Sequence, residues 1–508
     1  MAEPESTKNP QQIIDYKVYL RNYFGELTEV TPVVSAMNIY ESIFSLTNSC
    51  DIIIADAVGF TQRLPLIGDE HIIITYRSNT SDKIISRSFK VYKIGKRVEG
   101  AQRQENYILH GISEYAIFNE FRNIDKSFRG RKTSDAIQDA FYNGFRASGG
   151  ADGDFILGVK SLHGLNKDNI VKSESTTSFI PPGITPFECI KYLMDECRHP
   201  KGDNNSDYVF FEDYDGFHFT TMKELKDQDT SQKFLLGDQA FVKDEAEFEE
   251  SQIIMSLKAK KSFDRLQDLG TGLFRNRVAV VDPLTKKYDS RTFIYYSEFG
   301  LLNKIHEFGG RIITAQSHYR LDKADDSSTH TRFFAAELNT TSLNTGEDVG
   351  FSPRAERQNG ILTGDVSNYM DHPYINEVNK QTLISKDPLV SNPQIKQRKL
   401  GRRIAERATM DAVILEALIP GNSVIKPGDM VEIYVPQTTS TESNKFNFNL
   451  FYGQSEEDKR FTPRFLVTSV RQNYDNETQN YQTGLELMKD SYAQRPEKVY
   501  TKSKGDMA

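Results

Sequence analysis

Phe89-Lys90-Val91-Tyr92-Lys93-Ile94 alternates apolar and polar residues, the period of a half-buried strand. It sits in a series of signals that recurs near the other end of the chain. The early series is a Gly68-Asp69 turn, a run ending in Thr75-Tyr76-Arg77, then Phe89–Ile94, then Tyr107-Ile108-Leu109-His110. The late series is Gly428-Asp429, Met430-Val431-Glu432-Ile433-Tyr434-Val435, Phe465-Leu466-Val467-Thr468-Ser469-Val470, then Tyr481 to Leu487. Order and alternation match while loop lengths differ, so the chain is expected to carry two related β-domains.

Working outward, Ala136, Ile137, Ala140 and Phe141 have helical spacing, with Thr133 or Ser134 as N-cap. Ser148-Gly149-Gly150-Ala151-Asp152-Gly153 reads as a crossover. Beyond it, Pro186 opens a helix through Phe187, Ile190, Leu193 and Met194. Tyr208–Glu212 and Phe217–Thr220 then flank Asp213-Tyr214-Asp215-Gly216, a β-hairpin signal. The fold class is therefore α+β and mainly β. The expected divisions are a polar arm over 1–12, a first β-domain with its helix over 13–150, and an α/β middle domain over 151–250. The second β-domain starts over 251–321 and finishes over 396–491, and a loose tail fills 492–508. Between its two parts, 322–395 is too polar for a core of its own and too long for an ordinary connection. Its spaced anchors Phe333, Phe334, Leu338, Phe351, Ile361, Leu362, Tyr369, Tyr374 and Ile375 suit an arm that orders against a neighbour.

At 508 residues there is room for several cores. Acids outnumber bases, 71 to 63, which argues against a dedicated nucleic-acid surface. Cys50, Cys189 and Cys197 cannot form a closed disulfide framework and fit assembly in a reducing cytoplasm. No secretory signal and no membrane-spanning run is legible, so no membrane insertion is expected.

Four groups of residues invite chemistry and each falls short. Gly153-Asp154-Phe155-Ile156-Leu157-Gly158-Val159-Lys160-Ser161 resembles a phosphate loop, but Val159 displaces the lysine from its place after the second glycine. Glu212, Asp213 and Asp215 could serve glycoside hydrolysis or hold calcium, yet Glu224 does not complete a calcium loop. Cys189, Cys197 and His199 match no common zinc spacing. Lys396, Arg398, Lys399, Arg402, Arg403 and Arg407 could face phosphates or an acidic partner; the simpler reading is a solvated helix face opposite Leu400, Ile404 and Ala408. No catalytic residue, metal ligand or cofactor is assigned.

The order of these pieces resembles the baseplate hub proteins of contractile-tailed phages. Ser127-Phe128-Arg129-Gly130 before a helix follows the first β-series. Ile180 to Ile190, Tyr208–Glu212 and Gly216–Phe219 resemble the hub's middle domain. Gly421-Asn422, Pro427–Val431, Leu466–Arg471 and Leu485–Ser491 resemble its closing strands. The resemblance runs over most of residues 17 to 491 and extends to the hub part of type VI secretion spike proteins. It implies two tail-tube-type β-barrels per chain and a homotrimeric ring. That ring would join a sixfold tail tube to a threefold central spike and form part of the DNA conduit. It implies the tail tube protein, central spike protein and baseplate wedge proteins as partners, transient passage of DNA without specific binding, and a place in the virion after assembly in the host cytoplasm. A phage-associated glycan hydrolase and a receptor-binding fibre are the alternatives.

Overall fold

A computed structural model describes residues 11–57, 66–79, 81–99, 105–145, 165–200, 207–237, 248–261, 275–282, 287–295, 393–435 and 463–492, with short pieces between. The first β-unit comprises β1 (Ile13–Arg21), β2 (Leu27–Glu29), β3 (Val34–Ser42), β4 (Ser49–Asp56), β5 (His71–Ser78), β6 (Ile85–Glu99) and β7 (Glu105–Ile112), bonded in the order β3-β4-β7-β6-β5-β1-β2. Burial alternates strictly along β4, as its sequence demands. Met37, Ile39, Ile52, Ile54, Phe89 and Leu109 fill the core on one face. Each such side chain stabilises the fold by about 1.5–3 kcal/mol relative to exposure.

The middle domain follows with α1 (Glu114–Glu120), β8 (Phe128–Lys132), α2 (Thr133–Phe145), the short strands β9 (Phe155–Ile156) and β10 (Val159–Lys160), β11 (Leu165–Ile170), β12 (Thr176–Phe179), α3 (Pro186–Glu196), β13 (Tyr208–Asp213), β14 (Gly216–Thr221) and α4 (Met222–Lys226). Helix α3 begins in a capping box. Thr185 Oγ1 accepts from Glu188 N, Glu188 accepts from Thr185 N, and Pro186 loses no bond in the first turn. Tyr115, Phe141, Phe145, Phe187, Phe210 and Phe217 form one aromatic core. This corrects the sequence reading, which gave the 133–145 helix to the first β-domain. Its apolar stripe packs on α3 and under β14; periodicity reveals that a face is buried, not against what.

The second unit is built from β15 (Thr230–Leu236), β16 (Ile253–Ile254), β17 (Ser256–Lys261), β22 (Val413–Pro420), β23 (Met430–Tyr434), β24 (Arg464–Asp475) and β25 (Asn480–Lys489). Between them fall β18 (Arg275–Asp282), β19 (Lys287–Ile294), β20 (Phe308–Gly309), β21 (Arg332–Glu337) and α5 (Pro393–Met410); β26 (Ser491–Tyr492) pairs with β20. Two boundaries move. β15 lies in the stretch assigned to the middle domain, while β18 and β19, assigned to the second β-domain, form a separate sheet with β21. Phe333 and Phe334 of the polar stretch are therefore on a strand; residues 338–392, with its other anchors, lie outside the described residues, as do 1–10 and 493–508.

The expected duplication appears in the connectivity. Setting aside the short β2 and β16, six strands of the first unit in chain order pair as 2-3-6-5-4-1, and so do β15, β17, β22, β23, β24 and β25. The likeness extends to irregularities. β6 slips register against β7 between Val91 and Lys93, and β24 slips against β25 between Val467 and Ser469. Val91 N donates to Glu70 O at 2.9 Å, and Val467 N donates to Asp429 O at 2.9 Å. A bulge and a turn bond at equivalent positions are not a generic property of meanders, because bulges are specific local devices. One pairing differs: β1–β5 is antiparallel and β15–β23 parallel. Among the described residues neither set closes on itself, so the structure holds two open sheets where closed barrels were expected. No helix among the described residues is long and apolar enough to cross a membrane.

Candidate functional site

The two units share one sheet, and the seam between them is β24 against β3. The first residues of β24 pair with β23, from Arg464 to Leu466; from Ser469 onward the same edge pairs antiparallel with Ser42–Ala36 of β3. Polar side chains bind this seam across a sequence distance of more than 400 residues. Asn38 Oδ1 accepts from Arg471 Nε at 3.0 Å, Arg471 Nη2 at 2.8 Å and Asn473 Nδ2 at 2.7 Å. Ser469 and Ser42 hydroxyls meet at 2.9 Å, and Asn476 reaches the carbonyl of Val34. Beside the seam lies an open groove of about 570 Å³, lined by Tyr40, Ser42, Lys258, Glu416, Arg471 and Glu486 among others.

Beside the groove, some charged side chains of the sheet pair with one another. Lys260 bridges Glu416 and Glu486, each at 3.1 Å. The equivalent positions in the first unit carry Asp51 and His110, in contact at 2.6 Å. The groups are half-exposed, so each contact adds little stability.

A second constellation lies where the β13–β14 hairpin wedges between the units. The hairpin signal is realised as a two-residue loop, with Asp213 opposite Gly216 and Gly216 at φ 131°. Tyr214 Oη donates to Val424 O at 3.0 Å, and Lys83, Arg87 and Lys426 surround its ring at 4.3, 5.5 and 5.8 Å. Arg87 pairs with Glu41 in the buried seam behind it. The acids weighed for catalysis are all engaged here. Glu212 accepts from Asn48 N at 3.0 Å and from Ser113 Oγ at 2.9 Å. Asp213 Oδ1 accepts from Asp215 N and Gly216 N, and its Oδ2 lies 2.8 Å from His218 and 3.5 Å from Lys426. Burial opposes ionisation of Asp213, but His218 and Lys426 outweigh it and hold the carboxyl below its ordinary value. Asp215 pairs with Lys83 and Lys426 at the rim.

Burial pushes Glu212 up to about 7 and Asp429 up to about 6. An acid whose folded value is raised binds its proton more tightly when folded, so its contribution is best at low pH. For Glu212 stability is lost as pH rises from the ordinary carboxylate range through about 7. Glu212→Gln can keep both bonds by accepting from Asn48 N and donating to Ser113. It should flatten this slope, gaining stability relative to the parent at pH 8 compared with pH 5; urea titrations at the two pH values measure it.

The remaining sequence candidates scatter. Cys189 and Cys197 are buried thiols, and burial pushes Cys189 up to about 12. His199 is buried beside Glu224 at 3.6 Å, and no metal-holding cluster occurs among the described residues. The phosphate-loop look-alike lies partly outside the described residues; its described parts pair as the β9–β10 hairpin, not as strand, loop and helix. Arg403 and Arg407 of the basic helix face acids of their own chain. Arg403 reaches Asp195 at 2.5 Å and Asp207 at 3.2 Å, and Arg407 reaches Asp207 at 2.9 Å. Sequence reasoning missed the seam and the Tyr214 clasp. The seam left no signal in the sequence, because periodicity states a strand's faces and leaves its edge partners unspecified.

No family model and no curated protein matches the sequence. Among solved structures the chain is similar to a tail protein from Neisseria meningitidis MC58, with TM-score 0.47 and 10% identity over 94% of this chain and 97% of that one. It is similar to the 43 kDa tail protein of prophage MuSo2 from Shewanella oneidensis, with TM-score 0.46 and 9% identity over 94% and 100%. It is also similar to an E. coli component of the type VI secretion system, with TM-score 0.36 and 8% identity over 92% and 76%.

Proposed function

We propose that this chain is a structural hub of a phage tail baseplate, acting as a homotrimer rather than as an enzyme. The observation that carries this reading is the pair of units with one strand order, fused edge to edge in a single sheet. A subunit that repeats its own fold presents twice as many equivalent units as chains, so three copies would present six. That count suits a part set between a sixfold tube and a threefold spike. The excess of acids over bases, 71 to 63, supports a place along the conduit, because sticky cationic walls would hold the phosphates of passing DNA. The acids of the hairpin are bound into the wedge and leave no carboxyl pair facing open space, which supports the non-catalytic reading. The tail tube, central spike and baseplate wedge proteins are the partners in this reading, and the virion tail its location. Sedimentation of the purified protein with its spike partner should give three copies; a monomer under those conditions would overturn the hub reading.

A further inference from the structure

The β1–β2 hairpin carries two adjacent aromatic rings into solvent. Tyr23 is 63% and Phe24 81% exposed, and their rings meet edge-on at 5.6 Å. The turn beneath them is braced to hold that pose. Asn22 N donates to Glu26 O, Gly25 N to Asn22 O and Glu26 N to Asn22 Oδ1, while Asn22 Nδ2 donates to Glu26 Oε2. Gly25 supplies the positive φ of 84° that closes the loop. Arg21, the last residue of β1, pairs with His71, the first of β5, so the Gly68 turn stands beside this one at the same end of the unit. Glu70 fixes that second turn, its carboxylate accepting from the backbone N of Ile67, Gly68 and Asp69, and Ile67 is left 66% exposed. Exposed apolar side chains that stand singly are ordinary. Three of them on two adjoining, hydrogen-bonded turns make a pre-organised anchor, the kind of feature that concentrates binding energy at an interface.

The second unit has no equivalent of this tip. β16 runs parallel to β15, so the chain between them cannot return through a tight hairpin. Glu70 and Asp429 are equivalent, which puts Lys426 where Ile67 stands, and Lys426 is held by Asp213 and Asp215. Behind it Met430 and Leu466 pack on Val209 and Phe211 of the middle domain. The same end is therefore covered by protein in one unit and carries an apolar tip in the other. We propose that Tyr23, Phe24 and Ile67 seat in an apolar pocket of a threefold partner, which in the hub reading is the central spike. The inference rests on that reading and names the surface that meets this partner. A feature carried by only one unit of each pair recurs three times in a trimer, once per chain. A sixfold ring would meet it at alternate subunits and leave half of its own equivalent sites empty. A threefold spike offers one pocket to every chain.

The test is calorimetric titration of full-length variants with the spike partner and with the tail tube protein. Spike affinity should fall at least about tenfold in Tyr23→Ser with Phe24→Ser, and measurably in Ile67→Ser, while tube binding stays that of the parent. These side chains are exposed, so each variant should unfold at the parent's urea midpoint. Phe121→Ser removes a ring that is 79% exposed on the middle domain and should bind the spike as the parent does. Unchanged spike affinity in the tip variants, an equal loss in Phe121→Ser, or loss of tube binding in place of spike binding would overturn the inference and leave the hub reading standing. A parent chain that stays monomeric with the spike present would sink both.

Discussion

Lys226→Met should lower stability by about 3–5 kcal/mol, the cost of leaving a buried carboxylate without its cation. Lys226 ends α4 and its ammonium lies 2.8 Å from Asp490, with side-chain exposures of 1% and 2%. Asp490 also accepts from Ile305 N at 3.0 Å and Ser491 Oγ at 2.6 Å. Burial works against the charge on Lys226, yet Asp490 and Glu406 outweigh it and raise its value; burial likewise opposes ionisation of Asp490, and Lys226 overcomes it. With Asp490 depressed, the pair's contribution is present above the ordinary aspartate value and is lost as pH falls through the depressed one. Lys226→Met with Asp490→Asn should recover most of the loss, since the amide oxygen still accepts from Ile305 N and Ser491 Oγ while the unpaired buried charge is gone. Equilibrium denaturation of both variants decides it; equal destabilisation in the single and double variants would show that volume, not charge, matters at this site.

That pair joins the middle domain to the closing strand of the second unit, and sequence reading had no means of finding it. Lys226 and Asp490 are separated by most of the second half of the chain, and each looks like an ordinary solvated charge. What was legible is what local pattern encodes: the alternation of β6 and β25, the helix opened by Pro186, the Gly216 hairpin and the repeated series around Gly68 and Gly428. The repeat was even read to within one residue, since the structure aligns Glu70 with Asp429 and not Asp69. What failed was partner choice. The Thr133–Phe145 stripe has the same period whether it packs on β7 or on α3. Likewise Arg403 and Arg407 look the same in sequence whether they face solvent, phosphate or Asp207. Assignment of β15 failed for the same reason: a strand's sequence states its two faces and leaves its edges unspecified.

The Tyr214 clasp is where those unspecified edges are locked together, and Tyr214→Ala should therefore be felt in both β-units. The side chain is 9% exposed, so its removal forfeits burial and opens a cavity, a loss of about 3–5 kcal/mol for a large aromatic. It also strips the apolar face from Lys83, Arg87 and Lys426, which would then surround empty space with like charge. Tyr214→Phe removes only the bond to Val424 O and should cost about 0.5–1.5 kcal/mol. The two variants separate packing from hydrogen bonding. Hydrogen exchange gives the more specific readout: in Tyr214→Ala the amides of β3 and β24 should lose protection together, because the wedge braces the seam from behind through Arg87 and Glu41. The aromatic core of the middle domain has its own rings and should keep its protection. Loss confined to residues 213–216, with the β3–β24 seam unchanged, would show that the hairpin decorates the junction and does not hold it.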